Sequence, residues 1–282
     1  MLFEVEPGQT IQFDDCGQGN AVIVVPFLGR SFQDYRSVIR RIADSGRRVV
    51  VFNPRGIAGS TASWGIGSPS ICAEDLLGLA QHLGIMQAHL IGHAYGSRVV
   101  RVVAARSPGF VRSMVLAGTG GEVARATSSR PPVVAKAFFS ALDGLQRGQA
   151  SKLSPRTRIA ATLIRRFYFG HRKPLAQTWY RGWYPETACR QFEAMEREPI
   201  DGNWKRHLHN LLILQGTEDR LSPPRGAWSL QRALGARVRV AYWEGAGHAL
   251  FPEVGPELGN TIVSFLDRVE RPATVEMRHA VV

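Results

Sequence analysis

Short apolar runs alternate with segments of helical periodicity along most of this chain. The runs are rich in β-branched residues, whereas the segments between them repeat their apolar residues every three or four positions. The predicted strands are Thr10–Asp15, Ala21–Val25, Arg48–Phe52, Ala88–Ile91, Ser113–Ala117, Leu211–Gln215 and Arg237–Trp243. The predicted helices lie near Ser31–Ser45, Ile71–Leu83, Tyr95–Arg106, Pro224–Leu234 and Glu257–Arg268. Such alternation is typical of the α/β class, in which helices cover both faces of a mostly parallel sheet.

The alternation stops between two of these strands. From about Arg130 to Lys205 the sequence is helical, basic and rich in aromatic residues. We therefore predict one α/β core, residues 1–121 and 206–282, with a helical lid inserted at 122–205. Several aromatic side chains are predicted to form the core of the lid or to line the pocket beneath it: Trp179, Tyr180, Trp183 and Tyr184. The segment Glu270–Val282 has no clear periodicity and is predicted to be a loose tail.

A tight turn is predicted between the strand Ala88–Ile91 and the helix that follows it. Its sequence is Gly92-His93-Ala94-Tyr95-Gly96. The two glycines leave room for backbones to approach closely, and the central residue, Ala94, is forced into a strained conformation. Because a helix begins here, the Tyr95 N–H is a candidate donor to an oxyanion. His93 is more typical of a residue that packs beneath the turn than of a catalytic one.

Two later loops carry an acid and a histidine, each directly after a predicted strand. Asp219 follows the strand Leu211–Gln215, and His248 follows the next strand in the sequence Gly245-Ala246-Gly247-His248. A loop of this kind is typical of one that positions an imidazole, and the acid one strand earlier is its expected partner. A single acid in a loop is more often a surface group. Glu122 also follows a strand and is a second candidate for the acid.

The turn at Ala94, Asp219 and His248 follow one another in the order nucleophile, acid, histidine. This is the chain order of the α/β-hydrolases. From roughly Thr10 to Arg268 the chain resembles that superfamily, whose nucleophile elbow, G-x-S-x-G, has serine at its centre. The resemblance implies an α/β-hydrolase fold with a lid over the pocket. It also implies an Asp219–His248 catalytic pair, with Ala94 at the nucleophile position.

Two upstream segments resemble loops of the same family but depart from its pattern. Residues 26–31 occupy the place of the H-G-x-G oxyanion loop, with Pro26-Phe27 instead of His-Gly. By resemblance, the Leu28 N–H would be the second oxyanion donor. Residues 53–60 resemble the D-x-R-G-x-G-x-S loop, with Asn53 in place of the aspartate.

Alanine at the centre of the turn removes the group that would attack a substrate. Serine attack needs an oxygen that histidine can deprotonate, which a methyl group cannot supply. Loss of the serine from such a triad costs on the order of 10⁶ in rate, although roughly 10³–10⁴ over water can persist. Serine acyl-enzyme chemistry is therefore blocked by Ala94. Tyr95 and Ser97 are predicted to point away from the apex, so neither is an obvious substitute.

Three explanations of Ala94 remain open. In the first, the chain is an ordinary ester or lactone hydrolase with an engineered Ser-to-Ala change. In the second, it is an enzyme in which His248, held by Asp219, works without serine. In the third, it is a non-catalytic pseudo-hydrolase that binds a ligand. In the second case the histidine would act as a general base, and the oxyanion hole would stabilise an enolate or activate a water. The departures at Pro26-Phe27 and Asn53 favour a natural alanine, since one engineered change would not alter them. The retained pair favours catalysis, since a pure binder needs no oriented imidazole.

Composition limits the partners that we expect. The chain is 44% hydrophobic and 21% charged, as in ordinary globular proteins. Its net charge of +12 is not concentrated in one dense basic run and there is no nucleic-acid motif, so we predict no nucleic-acid partner. No apolar run is long enough for a membrane span, the sequence has no secretion-signal pattern, and the three cysteines are interpreted as free thiols. We therefore predict a cytoplasmic protein without membrane association.

The aromatic lid predicts a small or medium, largely apolar substrate, and we predict no metal or cofactor. The oligomeric state is not predicted.

Overall fold

The computed structural model describes residues 1–61, 65, 67–119, 169–171, 183–200, 202–206 and 208–271. Within these residues the strands are β1 Leu2–Glu6, β2 Gln9–Cys16, β3 Ala21–Val25, β4 Arg48–Phe52, β5 Ala88–His93, β6 Val111–Ala117, β7 Leu211–Gly216 and β8 Val238–Trp243. They form one sheet in the order β1-β2-β4-β3-β5-β6-β7-β8. The β1–β2 and β2–β4 pairs are antiparallel, and all other pairs are parallel. The predicted α/β class with a mostly parallel sheet is confirmed.

Helices cover both faces of this sheet. Their bounds are α1 Arg36–Ala43, α2 Pro69–His82, α3 Tyr95–Arg106, α4 Pro185–Arg197, α5 Arg225–Leu234, α6 Leu250–Val254 and α7 Pro256–Glu270. Short 3₁₀ turns occur at Phe32–Tyr35, Pro108–Phe110, Gly202–Lys205 and Gly235–Arg237. Apolar residues of α2 and α3 pack on one side of the sheet, and those of α1 and α7 on the other. Each of these four helices therefore buries one apolar stripe in a core beside the sheet.

The central strand β3 shows why the strands appear in the sequence as unbroken apolar runs. Ile23 and Val25 face the core beneath α2 and α3, whereas Val22 and Val24 face the core beneath α1 and α7. Successive side chains of a strand point to opposite faces, and here both faces are dry. β3 therefore contains no polar residue.

The two ends of the described chain differ from the prediction. β1 was not predicted, because its five residues alternate between exposed and partly buried positions and carry only a weak apolar signal. It pairs with β2 at the edge of the sheet. Glu270, predicted to begin a loose tail, is the last residue of α7 and makes an ion pair with Arg47 at 2.7 Å. Residues 272–282 lie outside the described residues.

Most of the predicted lid, 122–205, also lies outside the described residues, and its bounds stay a prediction. The described part contains α4 and the turn Gly202–Lys205. Trp183, predicted to belong to the lid core, is buried. Trp179 and Tyr180 are not among the described residues. Within the described ranges, no helix is long and apolar enough to span a membrane.

Candidate active site

The predicted site residues meet at one edge of the sheet. The parallel strands β3, β5, β6, β7 and β8 all end there, and the loops that follow them carry the residues identified in the sequence, together with one glycine: Leu28, Ala94, Gly118, Asp219 and His248. In open α/β sheets the carboxyl ends of the strands are where ligands bind. This edge is therefore the candidate active site.

The turn after β5 has the strained geometry expected from its sequence. Ala94 adopts φ 48° and ψ −97°, a combination that side-chain-bearing residues rarely adopt. A Cβ on Gly92 would overlap the Gly96 carbonyl, and a Cβ on Gly96 would overlap the Val25 carbonyl. The backbones can approach this closely only because both positions are glycine. The Ala94 N–H is fixed by the Ala117 carbonyl at 2.8 Å.

His248 and Asp219 form a buried pair. His248 Nδ1 lies 2.8 Å from Asp219 Oδ2, and each residue is only 2% exposed. The other carboxylate oxygen, Asp219 Oδ1, accepts hydrogen bonds from the backbone N–H groups of Leu221 at 3.0 Å and Ser222 at 2.7 Å. With the carboxylate held at both oxygens, the ring of His248 has one favoured orientation. Its Nδ1 carries the proton that Asp219 accepts, so Nε2 is the nitrogen that can take up a proton.

His93 lies beneath this pair and joins three loops. Its Nε2 donates to the His248 carbonyl at 2.9 Å, so its Nδ1 accepts the Tyr35 hydroxyl proton at 2.9 Å. The same hydroxyl oxygen accepts the Phe27 N–H at 2.7 Å. Burial, reinforced by the nearby His248, lowers the pKa of His93 to about 3. A neutral imidazole thus connects the loop after β3, the turn at Ala94 and the His248 loop.

The loop after β3 presents an apolar wall to His248. The Phe27 ring meets the His248 ring edge-on at 5.2 Å and stacks with Trp183 at 6.4 Å between centroids. The loop is fixed by Gln191 of α4, whose Oε1 accepts the Gly29 N–H at 2.6 Å. Residues 183–197 therefore pack directly on the loop that contains Leu28.

Neither neighbour of the elbow replaces the missing serine oxygen. The Ser97 hydroxyl is buried and donates to the Gly92 carbonyl at 2.7 Å. The Tyr95 hydroxyl donates to the Ser68 carbonyl at 3.3 Å, and burial raises the pKa of Tyr95 well above its usual range. Both hydroxyls are thus hydrogen bonded to backbone carbonyl groups. Glu122, the second candidate for the acid, lies outside the described residues.

Asn53, where the family pattern has aspartate, has partners suited to an amide. Its Oδ1 accepts the Phe32 N–H at 2.9 Å, and its Nδ2 donates to Gln12 Oε1 at 2.8 Å. In the same segment, Arg55 makes a buried ion pair with Asp75 at 2.7 Å. The polar side chains of this loop are thus paired with β2, α2 and the turn at Phe32.

Three residues at the site were not predicted from the sequence. Tyr35 supplies the hydroxyl to His93, and Gly118 lies against the His248 ring. Glu253 is buried below the His248 loop, where its carboxylate accepts the Gly247 N–H. A charged residue inside the apolar run Leu250–Val254 is a sequence signal that could have identified Glu253. Among the described residues, no cluster of three or more histidine, cysteine or acidic side chains could hold a metal ion.

The chain is similar to known proteins over most of its length. A family model described as the alpha/beta hydrolase fold matches residues 20–253. A non-heme haloperoxidase from Rhodococcus erythropolis is 23% identical over 272 residues, covering 92% of this chain and 97% of the relative. An N-formylmaleamate deformylase from Pseudomonas putida is 24% identical over 237 residues, covering 83% and 84%. An esterase structure from Exiguobacterium antarcticum superposes with a TM-score of 0.73 at 17% identity, covering 94% and 98%.

Proposed function

Because this chain belongs to the alpha/beta hydrolase fold family, we propose that it acts on a small carbonyl compound with His248 as general base and without a serine nucleophile. The observation that carries the proposal is the buried 2.8 Å hydrogen bond between His248 Nδ1 and Asp219 Oδ2, beside an elbow whose apex is Ala94. An oriented base is present where a nucleophilic side chain is missing. Chemistry that needs only the base is therefore the best fit.

The proposed reaction is attack of water on the carbonyl carbon. His248 Nε2 takes one proton from the water as its oxygen bonds to that carbon, and the imidazolium formed is stabilised by Asp219. The backbone N–H groups of Leu28 and Tyr95 are proposed to hold the oxyanion. Collapse of the tetrahedral species returns the proton from Nε2 to the leaving oxygen or nitrogen. No covalent bond to the protein forms at any step.

The proposed substrate is small or medium in size and largely apolar. Phe27 and Trp183 provide stacked aromatic surface next to His248. Apolar walls with a few convergent polar groups are typical of small-molecule pockets. The relatives named as an esterase and a deformylase support a carbonyl derivative such as an ester, lactone or amide.

The test is an assay of p-nitrophenyl esters and lactones with the unsubstituted protein, His248→Ala and Ala94→Ser. We expect turnover by the unsubstituted protein to disappear in His248→Ala. Mass spectrometry during turnover should find no acylated protein, whereas Ala94→Ser should acquire an acyl group on residue 94. Turnover that survives in His248→Ala would contradict the proposal.

A second candidate is favoured by the intact strain of the elbow. The φ and ψ of Ala94 are those that would hold a nucleophile at the apex. If Ala94→Ser gains about 10³-fold or more in ester hydrolysis, the triad and oxyanion hole are complete and ordinary serine hydrolysis is the parent activity. A ligand that binds equally well to His248→Ala, with no turnover in any variant, would indicate a binding protein.

A further inference from the structure

Glu253 is a buried carboxylate that touches the loop of His248 from below. It is 3% exposed, and its two oxygens lie 3.1 and 2.9 Å from the backbone nitrogen of Gly247, the residue just before His248. Its Oε2 also accepts the N–H of Gly170 at 3.1 Å. Hydrogen bonds from N–H groups to an ionised carboxylate are stronger than those to a neutral acceptor. One side chain thus joins two backbone segments that lie far apart in the sequence.

The second of these segments is the described stretch Phe169–His171. Gly170 lies so close to the His248 loop that a Cβ there would overlap the Gly245 carbonyl oxygen. The next residue, His171, is hydrogen bonded through Nδ1 to Glu218, the neighbour of Asp219. The stretch is therefore attached to both loops of the acid–histidine pair, once through Glu253 and once through Glu218.

We propose that Glu253 is a positioning residue for His248, because its carboxylate holds the Gly247 N–H and the Gly170 N–H together and so fixes the loop on which the imidazole is carried. The proposal rests on the proposed role of His248 as the base. A loop held only by its own backbone would let the ring move relative to Asp219. The carboxylate removes that freedom at the residue immediately before the ring.

This contact depends on the charge of Glu253. Burial raises the pKa of Glu253 to about 7, against the opposing effect of the Gly247 and Gly170 N–H groups. The negative charge of Asp219 raises this pKa further, and His248 lowers it. His171 and Glu218, which are hydrogen bonded to each other, are the titratable groups that join the attached stretch to the Asp219 loop. Protonation removes the negative charge and turns one of the two oxygens into a donor, so the carboxyl group accepts the two N–H groups less strongly. The contact should therefore weaken as the pH falls through neutrality.

The experiment follows the amide NMR signals of the unsubstituted protein and of Glu253→Gln during a pH titration through neutrality. Glutamine has the shape of the protonated acid at every pH. In the unsubstituted protein, the Gly247 and Gly170 amide signals should shift together, with a midpoint at about pH 7. In Glu253→Gln that step should disappear, and the His248 Nδ1–H signal should be broadened at all pH values. The control is Glu186→Gln, the same change at a surface ion pair with Arg190, which should leave both observations unchanged.

A Gly247 step that persists in Glu253→Gln, or a His248 Nδ1–H signal that does not change, overturns the proposal. Gly170→Ala tests the same contact without altering the carboxylate, and it serves if Glu253→Gln does not fold. Its Cβ should push Gly170 away from Gly245 and remove one donor from Glu253. The midpoint of the Gly247 step should then move to higher pH, and an unchanged midpoint would count against a role for the attached stretch.

These signals need no turnover, so they separate this inference from the proposed function. Where the unsubstituted protein shows turnover, Glu253→Gln should lower its kcat by up to about 10²-fold, the size of effect expected from misplacing a catalytic group. KM should change little, because Glu253 is not proposed to touch the substrate. If Glu253→Gln loses activity while its His248 Nδ1–H signal stays as in the unsubstituted protein, the positioning role is refuted. If the unsubstituted protein is inactive but the NMR signals change as expected, only the proposed function is refuted.

Discussion

Gly118 lies directly against the ring of His248. A Cβ on Gly118 would stand 3.0 Å from His248 Cε1 and 3.1 Å from Nδ1, and 3.5 Å from Asp219 Oδ2. Gly118 also has φ +55°, in the left-handed region. The end of β6 must therefore lack a side chain for two separate reasons: backbone conformation and the space that the His248–Asp219 pair occupies.

Gly118→Ala should displace the His248 ring and reduce His248-dependent turnover by on the order of 10²-fold. The positive φ should also cost about 1–2 kcal/mol in the free energy of unfolding. Gly84→Ala is the matched control, because Gly84 has φ +67° and its added methyl group would meet no atom within 4 Å. Both variants should lose similar stability in urea unfolding, but only Gly118→Ala should lose activity. Equal activity in the two variants would show that the ring does not need this space.

Tyr35→Phe should weaken the connection between the loop after β3 and His93. It removes a hydroxyl that accepts the Phe27 N–H at 2.7 Å and donates to His93 Nδ1 at 2.9 Å. Two buried polar groups then lose a partner, which should cost about 1–3 kcal/mol in unfolding free energy. Tyr242→Phe, at a partly exposed tyrosine of β8, is the control and should cost much less. A loss in Tyr35→Phe no larger than in the control would mean that other groups replace the hydroxyl.

The parts of the site that could be predicted from the sequence are those with local signals. Ala94, Asp219 and His248 each follow a strand in a short glycine-containing or polar loop, and a parallel sheet brings such loops to one edge. The hydrogen bond between Asp219 and His248, 29 residues apart, follows from that topology. Tyr35 has no such signal: it is buried and reaches His93 across 58 residues, but the sequence around it does not distinguish it from a tyrosine at the surface.

The edge strand β1 and the contacts of Glu253 were not predictable for the same physical reason. β1 is stabilised by pairing with β2 and not by its own apolar pattern. Glu253 reaches Gly170 across 83 residues, and only the folded chain shows that its neighbours are backbone N–H groups. Tertiary contacts override local propensity at both places.

Ala94→Gly should stabilise the protein. The φ of 48° and ψ of −97° at Ala94 strain any residue with a Cβ, and glycine relieves most of that strain. We expect a gain of up to about 1 kcal/mol in unfolding free energy, set against the extra backbone entropy of glycine in the unfolded chain. Ala58→Gly is a useful comparison, because Ala58 is the other described non-glycine residue with positive φ, at 49°, and lies outside the elbow. A stability loss in Ala94→Gly alone would mean that the methyl group makes contacts worth more than the strain.

The neutral state of His93 should make the protein less stable in acid. Its pKa is lowered from 6.5 to about 3 in the folded chain, so between these two values the unfolded chain binds a proton that the folded chain does not. Stability from this group is therefore complete above pH 6.5 and declines as the pH falls towards 3. His93→Gln, which can still donate to the His248 carbonyl, should make urea unfolding free energy less dependent on pH in this range. His209→Gln controls for the loss of one histidine at an exposed position. If the unfolding free energy of His93→Gln depends on pH as steeply as that of the unsubstituted protein, His93 takes up a proton in the folded chain as readily as in the unfolded chain. The connection between the turn at Ala94 and the His248 loop would then not depend on a neutral His93.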